Sequence, residues 1–193
     1  MAEANSWESI KRHGLLSTTA LLELFEIQDD ARVSIESEKR PNSIEIHHPV
    51  CGNASIRDNR PINETVLNRT LVGISTANWY RTLNSRVFFW LTEDRLDRLR
   101  GAPAYRGRAH DILTVDTEKL VSAHETDIEL CHLNSGAVHP GANYPRGLGS
   151  FQRIASYPWS QRCAVAPAEP IVELTVPYSV PNIETFIVDV RTR

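Results

Sequence analysis

Glu173 is the residue whose type and setting best suit chemistry. It interrupts Ile171-Val172-Glu173-Leu174-Thr175-Val176, a run of aliphatic and β-branched residues that reads as a strand. A period of two puts it on one face with Ile171 and Thr175. A carboxylate in a strand that otherwise reads as core is either paired or faces a cleft. The competing reading is a one-sided sheet with the acid in water. Arg57 comes next, in Ile56-Arg57-Asp58-Asn59-Arg60-Pro61. Two guanidiniums just ahead of an expected helix suit a phosphate or carboxylate held in forked geometry. Surface charge with Asp58 as local partner is the alternative. The third candidate is the stretch His132–Ser150, which holds Gly136, Gly141, Gly147, Gly149, Pro140 and Pro145. Its glycines let the backbone approach a ligand, and Asn134, Ser135 and Arg146 supply donors. A long segment without periodicity inside a compact chain is often functional.

Other chemistries find less support. No Gly-Lys-Ser/Thr marks a phosphate-cradling loop, and no Gly-x-Gly-x-x-Gly follows a strand. His47 and His48 are adjacent, so in a strand they point to opposite faces and cannot share a metal. His110, His124, His132 and His139 lack tight ligand spacing, and no metal is expected. Cys131-His132 places a thiol beside an imidazole in sequence, which is not the spatial pairing that nucleophilic catalysis needs. Cys131 therefore reads as a small buried hydrophobe. Arg95, Arg98, Arg100, Arg106 and Arg108 form a local basic patch, with Tyr105 and Trp79-Tyr80 as candidate stacking partners for bases. A solvated helix face explains the same arginines.

The elements that must position these groups follow from periodicity. Val87-Phe88-Phe89-Trp90-Leu91 is an unbroken apolar run, expected to form a strand buried on both faces in the middle of a sheet. Helices are expected over Trp7–Arg12, Thr19–Phe25, Ile62–Leu71, Asn78–Leu83, Asp94–Arg100 and Thr117–His124. Further strands are expected over Ser43–His48, Asp111–Asp116, Ile128–Leu130, Ile171–Val176 and Ile183–Val190. Ala31–Ser37 fits a strand or a short amphipathic helix equally well. Helices cluster toward the first half and strands dominate the second, which points to an α+β fold with a mixed or antiparallel sheet.

The 193 residues are expected to form a single domain, 1–193, long enough to bury a core without staples. A formal net charge of −3 gives no global field toward nucleic acid or an anionic membrane. Three well-separated cysteines with no Cys-x-x-Cys argue for a reducing compartment. No apolar run approaches the ~18 residues of a membrane span, and Met-Ala-Glu-Ala-Asn lacks the form of a signal peptide. The expectation is a cytoplasmic protein with no membrane partner.

Several segments together carry a resemblance. In chain order they are His13-Gly14-Leu15-Leu16-Ser17, Ile56-Arg57-Asp58-Asn59, Asn84-Ser85-Arg86-Val87-Phe88-Phe89-Trp90, Asn134-Ser135-Gly136, Arg146-Gly147, Glu173-Leu174-Thr175-Val176 and Val180-Pro181-Asn182-Ile183. Over nearly its whole length the chain resembles an uncharacterised family of bacterial domains of unknown function. That family is in turn similar, in the order of its elements, to DarT-type ADP-ribosyltransferases. The resemblance implies an ADP-ribosyltransferase-like split β-sandwich with NAD, a substrate, in its cleft and a nucleic-acid or other acceptor. Glu173 would be the catalytic glutamate and Arg57 the arginine that holds the NAD phosphates or polarises the leaving group. His13, Phe88, Phe89, Asn134, Ser135 and Arg146 would contact the nucleotide. DarT-type proteins open with a His-containing strand before their first helix; here Met1 directly precedes that helix, so either the start lies further upstream or that NAD contact is absent. Two other readings stand beside this one: a non-catalytic nucleotide or nucleic-acid binding module on the same scaffold, and a His-dependent hydrolase or phosphotransferase using His110, His132 or His139.

Overall fold

The computed structural model describes all residues, 1–193. A two-residue strand, β1 (Ala2–Glu3), precedes helix α1 (Trp7–His13). Gly14 stops α1 with a φ of 82°, and a Cβ at this position would lie 2.6 Å from Pro181 Cα, so conformation and space both demand glycine. β2 (Leu15–Leu16) leads into α2 (Thr18–Leu24), whose N-cap Ser17 accepts the Ala20 amide at 3.1 Å. The two-way reading of Ala31–Ser37 resolves as helix, within α3 (Asp29–Ser37). The hairpin β3 (Ile44–His48) and β4 (Gly52–Ile56) follows. Next come α4 (Glu64–Thr70) and α5 (Thr76–Asn84), capped by the side chains of Asn63 and Ser75.

β5 (Arg86–Trp90) runs directly into α6 (Glu93–Arg100), then β6 (His110–Val115), α7 (Thr117–His124) and β7 (Glu129–Cys131). Beyond the long loop lie β8 (Gln152–Arg153) and α8 (Trp159–Val165). The chain then forms β9 (Glu173–Pro177), β10 (Ser179–Val180) and β11 (Ile187–Thr192). The strand expected over Ile183–Val190 is split, because Ile183–Phe186 is a 3₁₀ turn that buries Ile183 and Phe186.

The architecture is mixed α and β, with eight helices and four small sheets in which every strand pairing is antiparallel. The largest sheet has the order β5-β9-β7-β8, and a second has the order β1-β6-β11. This overturns the mid-sheet position expected for Val87–Leu91. β5 is an edge strand and Phe88 is 38% exposed, whereas β9, with its polar Glu173 and Thr175, is paired on both sides and buried at all but its last position. An apolar run reports what covers the side chains, while place in a sheet is decided by which backbone edges find partners, and the two need not agree.

The large sheet separates two cores. Val87, Leu130, Leu174 and Val176 pack on one side with Leu120, Ile128, Val180 and Ile183. Cys131 looks the other way, into a cluster with Leu67, Trp79, Tyr80 and Phe151. A third, smaller cluster joins the β3–β4 hairpin to Leu22, Phe25 and Ile35. No helix is long and apolar enough to cross a membrane.

Candidate functional site

Register on β9 builds the site. Glu173 lies opposite Trp90 on one neighbour and Cys131 on the other, and Thr175 lies opposite Phe88 and Glu129. Residues directly opposed in antiparallel strands project from the same face, so one face carries charge and aromatic rings while the other is aliphatic. Arg86 belongs to the polar face. Its Nε donates to Glu129 Oε2 at 2.9 Å, another donor reaches the Thr82 carbonyl at 2.7 Å, and the guanidinium lies 4.4 Å from the Phe151 ring centroid. That pair is satisfied and holds the sheet face rigid.

Glu173 is 3% exposed, which removes the reading of an acid in open water. The Ser135 amide donates to both carboxylate oxygens, at 3.2 and 3.3 Å. Burial pushes the Glu173 carboxyl up to about 7, against the opposing pull of Ser135, Arg95 and Arg146. Near neutral pH this group exchanges between acid and carboxylate, as a general acid or base must. Its cross-strand neighbour Cys131 is pushed up to about 12 by burial and by the Glu173 charge, so the thiol keeps its proton and is no nucleophile. His132 is pushed down to about 4 by burial and by the guanidiniums of Arg162 and Arg146, leaving a neutral imidazole.

The long loop that delivers Ser135 is clipped to both ends of α4. At one end Val138 N donates to the Pro61 carbonyl at 3.0 Å, and Asn63 N donates to the Val138 carbonyl at 2.9 Å. At the other end Arg146 N donates to Thr70 O at 2.8 Å and Val72 N to Arg146 O at 2.8 Å. The approach is so close that a Cβ on Gly147 would lie 2.5 Å from Val72 O. Arg146 is 4% exposed and donates to the carbonyls of Tyr144 and Ala137, at 3.1 and 3.2 Å. Its Nε finds no partner, whereas the hydroxyl of Ser135, a residue 1% exposed, acts on the Glu173 carboxyl and helps to hold its pKa down. Arg162 Nε is likewise buried and unpaired. An unpaired guanidinium nitrogen of Arg146 beside a buried carboxyl is unusual in a folded protein and suits a site that takes a ligand.

The structure therefore brings together Glu173, Ser135 and Arg146, with Asn134 half-buried beside Ser135 on the same loop. Phe88 shares the acid's face and meets Phe151 edge-on at 6.3 Å, whereas Phe89 projects from the opposite face into the aliphatic core. His13 ends α1, half-buried and with no hydrogen bond from its ring.

Arg57 belongs to another cluster. Its guanidinium lies 5.3 Å from the Tyr105 ring centroid, and the Tyr105 hydroxyl donates to Asp58 at 2.9 Å. Burial pushes the Arg57 pKa down, partly offset by Tyr105, Glu3 and Asp58. The charges that act on Glu173 are Arg95 and Arg146, so the two groups have no partner in common. Buried Arg40 supports the Arg57 segment, donating to the Arg57 carbonyl at 3.1 Å and to Asn84 Oδ1 at 2.9 Å. Sequence reasoning singled out neither Arg40 nor the Arg86–Glu129 pair, and it read Arg95 as part of a solvated face. Arg95 instead clamps Glu169, with Nε donating at 2.7 Å, and reaches toward Glu173. None of these carried a local signal, because each partner is distant in sequence.

Residues 1–187 match the model of a family of unknown function, DUF7002. No curated protein and no solved structure matches the chain.

Proposed function

We propose that this chain, which belongs to the DUF7002 family, is an NAD-dependent ADP-ribosyltransferase-like protein that passes ADP-ribose to a nucleic-acid or other acceptor. One observation carries the reading: Glu173 is a buried carboxyl on the central strand, balanced near pH 7, held by Ser135 and with the unpaired Nε of Arg146 beside it. The two antiparallel sheets β5-β9-β7-β8 and β1-β6-β11 support a split sandwich of the kind that the resemblance implies.

In this reading Ser135 releases the Glu173 carboxylate when substrate enters, and a sugar hydroxyl takes over the hydrogen bond. The ionised carboxylate faces the oxocarbenium-like sugar and stabilises its positive charge while the bond to nicotinamide breaks and nicotinamide leaves with the electron pair. Glu173 then accepts the proton of the attacking acceptor group as the new bond forms, a task suited to a carboxyl that titrates near neutrality. In this reading Arg146, which stands near the acid, takes the role that the resemblance gave to Arg57, and its unpaired Nε would hold the NAD phosphates.

Nicotinamide release from NAD by the purified protein tests this. The wild type is expected to turn over NAD, and Glu173→Gln to lower the rate about 100-fold with its fold intact. Equal turnover by the two proteins, or none by the wild type, overturns the transferase reading. A second reading, a non-catalytic nucleotide-binding module, is favoured by the depth at which Glu173 lies. It predicts thermal stabilisation by NAD without any nicotinamide release.

A further inference from the structure

Apart from the Glu173 site, a cleft of about 630 Å³ opens between α3, α5 and the turn into β5. Neither Glu173 nor Arg57 lines it. Of its twelve lining residues only Ile74 and Leu148 are hydrophobic, so an apolar ligand has little to bury against. Three guanidiniums, of Arg32, Arg81 and Arg86, face one carboxylate, Glu36. With Arg32 paired to Glu36 and Arg86 to Glu129, Arg81 leaves one uncompensated positive charge on the lining of a chain of formal charge −3, which favours an anion.

The three arginines are not equivalent. Arg32 is held 3.5 Å from Glu36, and Arg86 is committed to Glu129 at 2.7 Å. Arg81 has no carboxylate partner: it donates at 2.9 Å to the neutral Asn78, and the rest of its fork is unspent. Thr19 and Ser75 add hydroxyl donors to the wall, Ser75 while accepting the Asn78 amide at 3.2 Å, whereas the Ser85 hydroxyl is spent on the Thr82 carbonyl. The volume exceeds what an inorganic anion fills and lies within the range of small-molecule sites.

We infer that this cleft binds a phosphorylated sugar, with Arg81 holding the phosphate and the hydroxyl-bearing wall holding the sugar. The cleft shares Arg86 with the polar face of the sheet but is lined by none of Glu173, Ser135 and Arg146, and the proposal stands whether or not Glu173 is catalytic.

Ribose 5-phosphate is the probe, with ribose and inorganic phosphate as controls, read by thermal shift and calorimetry on the full chain. At roughly tenfold excess over Kd the probe raises the melting temperature by about 4 °C. Ribose gives no shift and phosphate a smaller one. Arg81 is exposed, so Arg81→Glu folds normally and abolishes the probe's effect, while Glu173→Gln leaves it unchanged. The proposal is overturned by an absent shift in the wild type, by an undiminished shift in Arg81→Glu, or by inorganic phosphate reproducing the whole effect. Loss of the probe's effect in Glu173→Gln would also overturn it, by placing the sugar at the transfer centre instead.

Discussion

At the scale of single residues, the Glu173 carboxyl has the largest consequence for pH. Its ordinary pKa is 4.5 and burial raises it to about 7 in the folded chain. Between those values the folded state keeps a proton that the unfolded state has released. Folding is therefore favoured by this group below pH 4.5, and the contribution is lost as pH rises through 7. Glu173→Gln, which stays neutral, is expected to flatten that part of the curve and to be the more stable protein above pH 7, by a margin on the order of a few kcal/mol. Urea denaturation of both proteins from pH 5 to 8 measures it (a conventional range that spans the rise). Parallel curves would mean that the carboxylate is well solvated when ionised. The setting of Glu173 was half legible in the sequence: an acid inside an aliphatic run reads either as paired or facing a cleft, or as standing in water on a one-sided sheet, and only its burial excludes the second. Its partner was not legible: Arg57 and Arg146 are both arginines in polar stretches, and nothing local tells which of them folds against β9.

At the scale of elements, the informative unit is the loop Asn134–Gly147 strapped to α4. Its glycine and proline content marked it as functional, but its backbone pairing to Pro61–Asn63 and Thr70–Val72 links segments far apart in sequence. The strap depends on Gly147, where a side chain would meet the Val72 carbonyl at 2.5 Å, while Gly149 two residues on has nothing within 4 Å. Gly147→Ala is expected to destabilise by about 2 kcal/mol, lowering the melting temperature by roughly 6 °C, and Gly149→Ala to change it little. Differential scanning calorimetry on the pair checks this, and equal melting temperatures would show that the loop yields without cost. The helix expected over Thr19–Phe25 forms as Thr18–Leu24 behind the Ser17 cap, whereas the one expected over Asn78–Leu83 begins two residues earlier, at Thr76, behind the cap Ser75. The apolar run of β5 misled because Phe88 and Trp90 lie on the charged and aromatic face of an edge strand instead of inside a sheet centre.

For the whole molecule, stability is expected to be uneven. β9 is hydrogen-bonded on both sides between two cores, while the β3–β4 hairpin is a two-stranded sheet over the smallest cluster. Native-state hydrogen exchange should find the slowest amides on β9 and β7 and far faster ones on β3 and β4. Uniform protection across both would show that the three clusters unfold as one unit. The same layout makes the Glu173 site a rigid floor, formed by the sheet, beneath a cover contributed by the α4 loop.

The sequence by itself determined most of the helices, the mixed α and β content and the strand that carries Glu173, because caps, glycines and apolar periodicity act over a few residues; it read the helix Trp159–Val165 as part of a connection and Ile183–Val190 as one strand. Tertiary structure alone decided that β9 and not β5 is the central strand, that Ser135 and Arg146 stand beside Glu173, and that Arg57 stands with Tyr105. Strand order and ion pairing are contests among distant segments for the same backbone edge or the same charge, and their outcome depends on the fit of the whole chain.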